Sequence, residues 1–144
     1  MSADTIRAIA PGDASFAAMV DCLRAADLPT SDLAEGAAQY FQLGDDAAYG
    51  GFATYGSDGL LRSLVVAGAQ RAGTGSTLLA ELLAAARGRG LRDIWLLTTS
   101  AEDFFARHGF AKVERDTAPA AIGATSQFKD LCPISAAFMH RRLS

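Results

Sequence analysis

The sequence has few cysteines, few lysines and no long apolar run. Only Cys22 and Cys132 are present, without metal-ligand spacing, which excludes a disulfide framework and a cysteine-based zinc site. No segment approaches the roughly 18 apolar residues of a membrane span. The N-terminal stretch MSADTIRAIAPGD lacks the apolar core of a signal peptide. We therefore expect a cytoplasmic protein with two reduced thiols and no membrane contact.

Charge and length exclude further classes of protein. Only two of the 13 basic residues are lysine, the net charge is −3, and no basic segment indicates nucleic-acid binding. The 144 residues suit one core, and no repeat or low-complexity linker divides them. The expected organisation is a single domain over residues 1–144, with no bound metal and no nucleic-acid partner.

A glycine-rich stretch, VVAGAQRAGTGSTLL from Val65 to Leu79, leads from β-branched residues into an apolar pattern of helical spacing. A P-loop is excluded because Thr74 stands where its lysine is required. A dinucleotide-binding fingerprint is excluded because Leu78 replaces its third glycine. The next apolar strand, IWLLTTS, also lacks the acid that would bind a ribose.

The spacing that does fit is Q/R-x-x-G-x-G/A between a strand and a helix, with Gln70, Gly73 and Gly75 in the defined positions. Glycines remove the Cβ atoms that would hold a ligand away from the backbone. A helix N-terminus adds unpaired N–H groups and the positive end of the helix dipole. Such a loop suits a diphosphate group. The alternative is a strand-to-helix turn without a ligand, and the loop alone does not separate the two.

Periodicity and turn residues predict an α/β (α+β) domain. The predicted strands are Thr5–Ala10, Tyr40–Gly44, Ala47–Gly56, Leu60–Val66, Leu91–Thr99, Phe110–Arg115 and Ile134–Arg141. The predicted helices are Ala14–Asp27, capped by Asp13, then Thr74–Arg89, Ala101–Gly109 and Ala118–Ala124, with a short helix or ordered loop within Leu28–Gln39. The strand from Leu91 should lie parallel to the one that ends at Val66, because a helix connects them.

A second motif lies at Ala101–Phe110, where AEDFFARHGF matches the pattern A-x-x-F-Y-x-x-x-G-F except that Phe105 stands at the tyrosine. Together with the order of elements, the two motifs resemble the GNAT superfamily of acetyl-CoA-dependent N-acetyltransferases. From Gly59 to Met139 the chain is also similar to the arsenic-resistance (ArsN-like) branch of that superfamily. The resemblance implies a GNAT fold. Its central sheet is mixed and mostly antiparallel, with six to seven strands splayed between the two parallel middle strands and helices on its flanks.

The resemblance implies transfer of acetyl from acetyl-CoA to the primary amine of a small molecule, such as an amino-acid-like toxin linked to arsenic resistance. It also implies a bulged strand whose backbone N–H, here that of Val66, bonds the thioester oxygen. The implied cofactor-binding residues are Leu64, Val65, Val66, Gln70, Arg71, Ala72, Gly73, Thr74, Gly75, Ser76, Thr98, Phe104 and Phe105.

The usual proton donor to the departing thiolate is missing from this sequence. Phe105 has no hydroxyl, and Thr98 replaces the asparagine that commonly precedes the tyrosine. Thr98, Thr99 and Ser100 are the nearby hydroxyls, and the candidate catalytic residues are Thr98, Ser100 and Val66. A catalytically weak acetyl-CoA-binding sensor or partner module is the alternative. A further alternative is acetylation of protein N-termini.

Arg62 and Tyr40 are the candidate residues for the acceptor. Inside an apolar strand, the Arg62 guanidinium must reach solvent or meet an anion. If it faces the cleft it would bind a substrate carboxylate, and otherwise it is an outward-facing sheet arginine. Candidate bases are Glu35, Glu102, Asp103 and His108, the last three interpreted as structural residues of a short helix. Exposed strand edges make a homodimer the expected assembly.

Overall fold

The structure is a computed structural model that describes residues 6–10, 12–25, 38–44, 48–66, 73–98, 101–124 and 136–143. Its strands are β1 (Ile6–Ile9), β2 (Ala38–Leu43), β3 (Ala48–Tyr55), β4 (Asp58–Val66), β5 (Asp93–Thr98), β6 (Ala111–Lys112) and β7 (Ala137–Arg142). Its helices are α1 (Ala14–Ala25), α2 (Thr74–Gly88), α3 (Glu102–Arg107) and α4 (Ala120–Gly123), with a 3-10 helix at Arg115–Thr117.

The described strands form one seven-stranded sheet in the order β1-β2-β3-β4-β5-β7-β6. Among these strands every neighbouring pair is antiparallel except β4 and β5, which are parallel because α2 carries the chain back across the sheet. The predicted mixed, mostly antiparallel sheet of the GNAT fold is therefore confirmed, as is the parallel pairing of the two middle strands.

The two faces of the sheet bury different sets of side chains. On one face, α2 packs its apolar stripe against strand residues such as Phe41, Phe52, Leu61 and Ile94. The stripe consists of Leu78, Leu79, Leu82, Leu83 and Ala86, which recur at helical spacing. On the other face, α1 contributes Met19 and Leu23, which cluster with Tyr40, Tyr49 and Val65. Burial on both faces explains why β3 is apolar almost throughout and why β4 carries apolar residues on both of its faces.

Helix α2 ends at Gly88, one residue before the predicted end at Arg89. The N–H of Gly90 donates to the carbonyl of Arg87, and the N–H of Leu91 donates to that of Ala86. Gly90 has φ of 85°, the left-handed conformation in which glycine avoids the Cβ clash. This pair of bonds is a Schellman motif, which satisfies the last carbonyls of the helix and turns the chain into β5.

Several predicted boundaries differ from the structure by a few residues, and two differences have an evident local cause. The strand predicted at Phe110–Arg115 is only Ala111–Lys112, because a 3-10 helix begins at Arg115, with the Thr117 hydroxyl bonded to the Glu114 carbonyl. The turn predicted at Gly56–Gly59 is only two residues long, since β3 and β4 already pair at Tyr55 and Asp58. A two-residue loop suffices because Gly56 adopts φ of 67°.

The start of α1 agrees only in part with the prediction. The Asp13 carbonyl accepts from Phe16 N–H, which places Asp13 at the N-cap position. Its carboxylate, however, accepts from the N–H of Ala10, the residue that follows β1. The side chain thus closes the turn that enters the helix. The short helix or ordered loop predicted within Leu28–Gln39 falls outside the described residues except for Ala38 and Gln39, which belong to β2 instead.

The packing of β3 against β2 can be tested at Gly51. A Cβ atom there would lie 2.2 Å from the Gln39 carbonyl oxygen and 2.8 Å from Tyr40 Cδ1. We expect Gly51→Ala to lower the free energy of unfolding by about 2–4 kcal/mol. The backbone of Gln39 cannot move aside without breaking hydrogen bonds between β2 and β3. Urea denaturation measures this change.

Gly88→Ala is the matched control, because nothing lies within 4 Å of its added Cβ. It should leave stability unchanged or raise it by about 0.5 kcal/mol, since alanine is the better helix former. Equal stability of the two variants would contradict the close approach of β2 to Gly51.

Candidate functional site

A bulge interrupts β4 near its C-terminal end. Gly51 of β3 pairs with Arg62, and Tyr49 pairs with Val65, so Ser63 and Leu64 together stand opposite the single residue Gly50. An extra residue of this kind reverses the alternation of side chains beyond it. Accordingly Leu61 and Leu64, three residues apart, both pack on the α2 face, and Val65 lies on the α1 face.

The parallel strands β4 and β5 part soon after they meet. Their pairing runs only from Asp58–Asp93 to Leu60–Trp95, whereas β5 pairs with β7 up to Thr98. Between Leu61 and Val66, β4 keeps β3 on one side, and its other edge lies along the opening between the two strands. A strand edge of this kind can pair with an extended ligand as it would with another strand. The predicted splay of the sheet is confirmed.

The N-terminus of α2 lies at the open end of this gap. Gly73 occupies the N-cap position with φ of 91°, and within the described part of the chain no side-chain hydrogen bond caps the helix there. Thr77 N–H donates to the Gly73 carbonyl, so helix geometry leaves the preceding amides of Gly75 and Ser76 without an acceptor inside the helix. These amides and the helix dipole make the turn attractive to an anion.

Val66 and Phe104 flank this helix turn. A Cβ at Gly75 would lie 3.6 Å from Phe104 Cζ and 3.7 Å from Val66 Cγ2. Val66 is 39% exposed, the one large apolar residue in the described chain that is so open to solvent. The end of β4, the start of α2 and the start of α3 thus meet at one partly apolar corner.

The side chains of Leu64 and Val65 serve the core. Leu64 packs against the α2 cluster, and Val65 is buried in the α1 cluster. Only their backbone groups can therefore face the gap. This arrangement suits a role in which main-chain groups, and not side chains, contact a ligand.

Phe105 belongs to the core. Its ring meets Phe104 at 5.1 Å and Phe110 at 5.7 Å between centroids, both edge to face, and its side chain is buried. The sequence position that carries a tyrosine in the resembled family is thus an apolar packing residue in this chain.

Thr98 ends β5 beside the start of α3. Its Oγ1 accepts a hydrogen bond of 3.0 Å from Ala101 N–H. The hydroxyl proton is not used in that bond, because a hydroxyl can accept and donate at once. Thr98 therefore both positions the start of α3 and keeps a proton that could be donated.

Arg62 and Tyr40 lie on the same face of the sheet, in register with each other through Gly51. Arg62 is only 3% exposed and Tyr40 only 4%, with Phe16 of α1 edge-on to the tyrosine ring at 5.8 Å. The outward-facing, solvent-exposed arginine that the sequence left open is excluded. Arg62 immediately precedes the bulge, and its side chain lies on the α1 face of the sheet.

The contact between His108 and Ser76 is not predictable from the sequence. His108 Nε2 lies 3.0 Å from Ser76 Oγ, and the His108 ring packs on Phe104 at 4.8 Å between centroids. Besides its place at the end of a short helix, His108 therefore joins α3 to the first turn of α2. No local sequence signal links two residues that are 32 positions apart.

Glu102 and Asp103 are exposed in the first turn of α3, as their structural interpretation requires.

Several candidates fall outside the described residues. They are Gln70, Arg71 and Ala72 of the loop, Ser100, and the candidate base Glu35. Among the described residues, no three His, Cys, Asp or Glu side chains cluster so as to hold a metal ion. No helix in the described ranges has the length and apolar character needed to cross a membrane.

Solved structures share this architecture. A protein from Klebsiella pneumoniae, provisionally assigned as an acyl-CoA N-acyltransferase, matches with a TM-score of 0.76 at 24% identity over 97% of each chain. The protein Rv2747 from Mycobacterium tuberculosis, solved with CoA and NLQ, matches with a TM-score of 0.74 at 21% identity over 97% of this chain and 99% of that one.

N-acetylglutamate synthase from Neisseria gonorrhoeae, solved with coenzyme A and N-acetylglutamate, matches with a TM-score of 0.74 at 22% identity. The alignment covers 97% of this chain but 35% of the synthase, so the chain spans about a third of that enzyme's length. At these identities the three likenesses establish the fold. No curated protein sequence matches the chain significantly.

The sequence also matches a family model. The acetyltransferase (GNAT) family model aligns with residues 22–110, more than half of the 144-residue chain. The aligned segment includes the bulged strand β4, the glycine-containing start of α2 and the whole of α3. By its fold and by this match, the chain belongs to the acetyltransferase (GNAT) family, the acetyl-CoA-dependent N-acetyltransferases.

Proposed function

We propose that the protein transfers acetyl from acetyl-CoA to the primary amine of a small molecule. The observation that carries the proposal is the gap between β4 and β5, bordered by the bulge at Ser63–Leu64 and ending at the start of α2. A gap beside an open strand edge fits an extended thioester, and the helix start fits a diphosphate. In acetyl-CoA the thioester arm leads to the diphosphate, so the molecule needs an open strand edge followed by a helix start.

The cofactor would bind mainly to main-chain groups. Its pantetheine arm would pair with the edge of β4 at Leu64, Val65 and Val66, and its diphosphate would accept from amides within Gly73–Ser76. The loop residues Gln70, Arg71 and Ala72 would complete the diphosphate site. Phe104, which lies close to Gly75, would cover the apolar corner beside it. The buried Phe105 would pack against the Phe104 ring and hold it in place.

The acetyl group would react beside Val66. The neutral amine attacks the carbonyl carbon and the C–N bond forms, and the C–S bond breaks to release the thiolate. The amine nitrogen gives up one proton to solvent, and the thiolate takes up one. The Val66 amide would donate to the carbonyl oxygen as negative charge develops there, an interaction worth a few kcal/mol in comparable sites. Most of the remaining acceleration would come from holding the two reactants together.

Arg62 and Tyr40 are the proposed acceptor-binding residues. Arg62 is 3% exposed, so its guanidinium is held away from bulk water. In such surroundings its pairing with a carboxylate is strong and directional. An acceptor that carries both an amine and a carboxylate would suit it. We therefore propose an amino-acid-like acceptor, and the resemblance to the ArsN-like branch suggests a toxin linked to arsenic resistance. The cytoplasmic location and the homodimer stay predictions.

A second candidate is a catalytically weak acetyl-CoA-binding sensor or partner module. The observation that favours it is Phe105, which is buried among aromatic rings where the resembled family commonly has a proton donor. The thiolate of the leaving group has a reference pKa of about 8.5 and can take its proton from water, so loss of the donor slows transfer without forbidding it. Thr98 and Ser100 are the proposed donors.

The first test measures release of free thiol from acetyl-CoA with a panel of amines. The panel pairs amino acids with their decarboxylated counterparts and includes short peptides. We expect amine-dependent thiol production, with kcat/KM about tenfold higher for the carboxylated member of each pair because of Arg62. Stabilisation by acetyl-CoA without any amine-dependent thiol release would instead favour the binding module. Turnover of peptides alone would indicate acetylation of protein N-termini.

The second test places a carboxylate in the proposed diphosphate site. Gly75→Asp should fold, because its Cβ makes only ordinary contacts and an acid is favourable in the first turn of a helix. We expect CoA affinity, measured by calorimetry, to fall by at least about 100-fold through charge repulsion. Gly75→Ala is the control and should stay within about tenfold of the parent affinity. Retention of CoA affinity by the folded Asp variant would count against the assignment.

The third test concerns Thr98. We expect Thr98→Val to lower kcat about tenfold, through loss of the donated proton, and to reduce stability by about 1 kcal/mol, through loss of the bond from Ala101 N–H. Thr98→Ser keeps the hydroxyl and should preserve both quantities. A Val variant with lower stability and unchanged kcat would remove Thr98 from the proton path and leave Ser100 as the proposed donor.

A further inference from the structure

His108 is tied to its surroundings on three sides. Its carbonyl oxygen accepts a bond of 2.8 Å from Arg141 Nη1 on β7. Its ring packs against Phe104, and its Nε2 lies 3.0 Å from Ser76 Oγ. Gly109, with φ of 88°, ends the helix beside the Arg141 side chain and completes this fixed geometry. The imidazole thus lies between Phe104 and Ser76, and the bond from Arg141 fixes the backbone that carries it.

Ser76 is the third residue of α2, immediately after Gly75. Its amide belongs to the set at the helix start that lacks an intrahelical acceptor. Its hydroxyl therefore lies next to the amides proposed to hold the diphosphate. A serine hydroxyl rotates freely, so the direction of its proton depends on the hydrogen bond that its oxygen accepts.

Two hydrogen-bond arrangements are possible between Ser76 and His108. If Nε2 accepts, the Ser76 proton points at the ring, and the hydroxyl offers only lone pairs to an approaching anion. If Nε2 carries a proton and donates it to Oγ, the Ser76 proton is released to point elsewhere. An anion at the helix start favours the second arrangement, because a hydroxyl stabilises a phosphate oxygen only as a donor.

We propose that His108 is a positioning residue for the cofactor's diphosphate. Its Nε2–H donates to Ser76 Oγ, and the Ser76 O–H donates in turn to a diphosphate oxygen. This inference rests on the proposed function, because it presupposes coenzyme A at the start of α2. His108 acts through Ser76, so removing it should weaken only ligands that carry the diphosphate.

The test compares CoA with pantetheine, which lacks the diphosphate, by calorimetry. We expect Ser76→Ala and His108→Ala each to weaken CoA about tenfold or more, as for a lost hydrogen bond to a charged group. The double variant should bind CoA no less tightly than the single variant with the lower affinity, because both changes remove the same relay. Pantetheine affinity should stay within about twofold of the parent in all three.

His108→Gln is the rescue variant, since its side-chain amide can place an N–H near the same point. It should bind CoA within about threefold of the parent protein. With acetyl-CoA as donor, the Ala variants should raise KM and leave kcat unchanged, since the relay binds the cofactor far from the thioester.

Equal loss of CoA and pantetheine affinity in His108→Ala would mean that the ring only packs on Phe104, and would overturn the proposal. So would additive losses in the double variant, or unchanged CoA affinity in Ser76→Ala, which tests the relay even if His108→Ala fails to fold. Absence of CoA binding by the parent protein is a separate result. It would overturn the proposed function, and the relay with it.

Discussion

One extra residue in β4 is the constraint on which the site depends. Because Ser63 and Leu64 share a single partner position at Gly50, the strand bends and its pattern of inward side chains reverses. Gly50 makes the bulge possible, since a Cβ there would lie 3.0 Å from Leu82 Cδ1 and 3.2 Å from Leu64 Cγ. The absent side chain leaves room for Leu64 to pack on α2, which anchors the bulge in the core.

The parting of β4 from β5 completes the effect of the bulge. Beyond Leu60–Trp95 the two strands no longer pair, and β5 follows β7 instead. Strand-edge N–H and C=O groups that lack a neighbouring strand would normally invite pairing with another chain. Here they border the gap in which we propose that an extended thioester binds. The side chains of Leu64 and Val65 pack in the core, so their backbone groups are the part of each residue proposed to contact the ligand.

The helix α3 closes the other side of the site. Phe104 packs beside Gly75, and His108 reaches Ser76, so two consecutive residues at the start of α2 are each contacted from α3. Arg141 on β7 holds the end of α3 in turn. The start of α2 is thus fixed by parts of the chain that lie about 30 to 65 residues beyond it, as the two hydrogen bonds join positions 76 to 108 and 108 to 141.

The sequence by itself determined the elements, the parallel middle pair and the glycine-containing helix start. Each of these depends on local periodicity, turn residues and the limits on chain connection. The local pattern did not reveal that the strand predicted at Phe110–Arg115 would end at Lys112, because the 3-10 helix that begins at Arg115 turns the chain away from β7. Only the tertiary structure decided that Arg62 is buried, that Phe105 is a core ring and that His108 meets Ser76. Such facts depend on which distant side chains fill the same space, and that is set by the packing of the whole sheet against its helices.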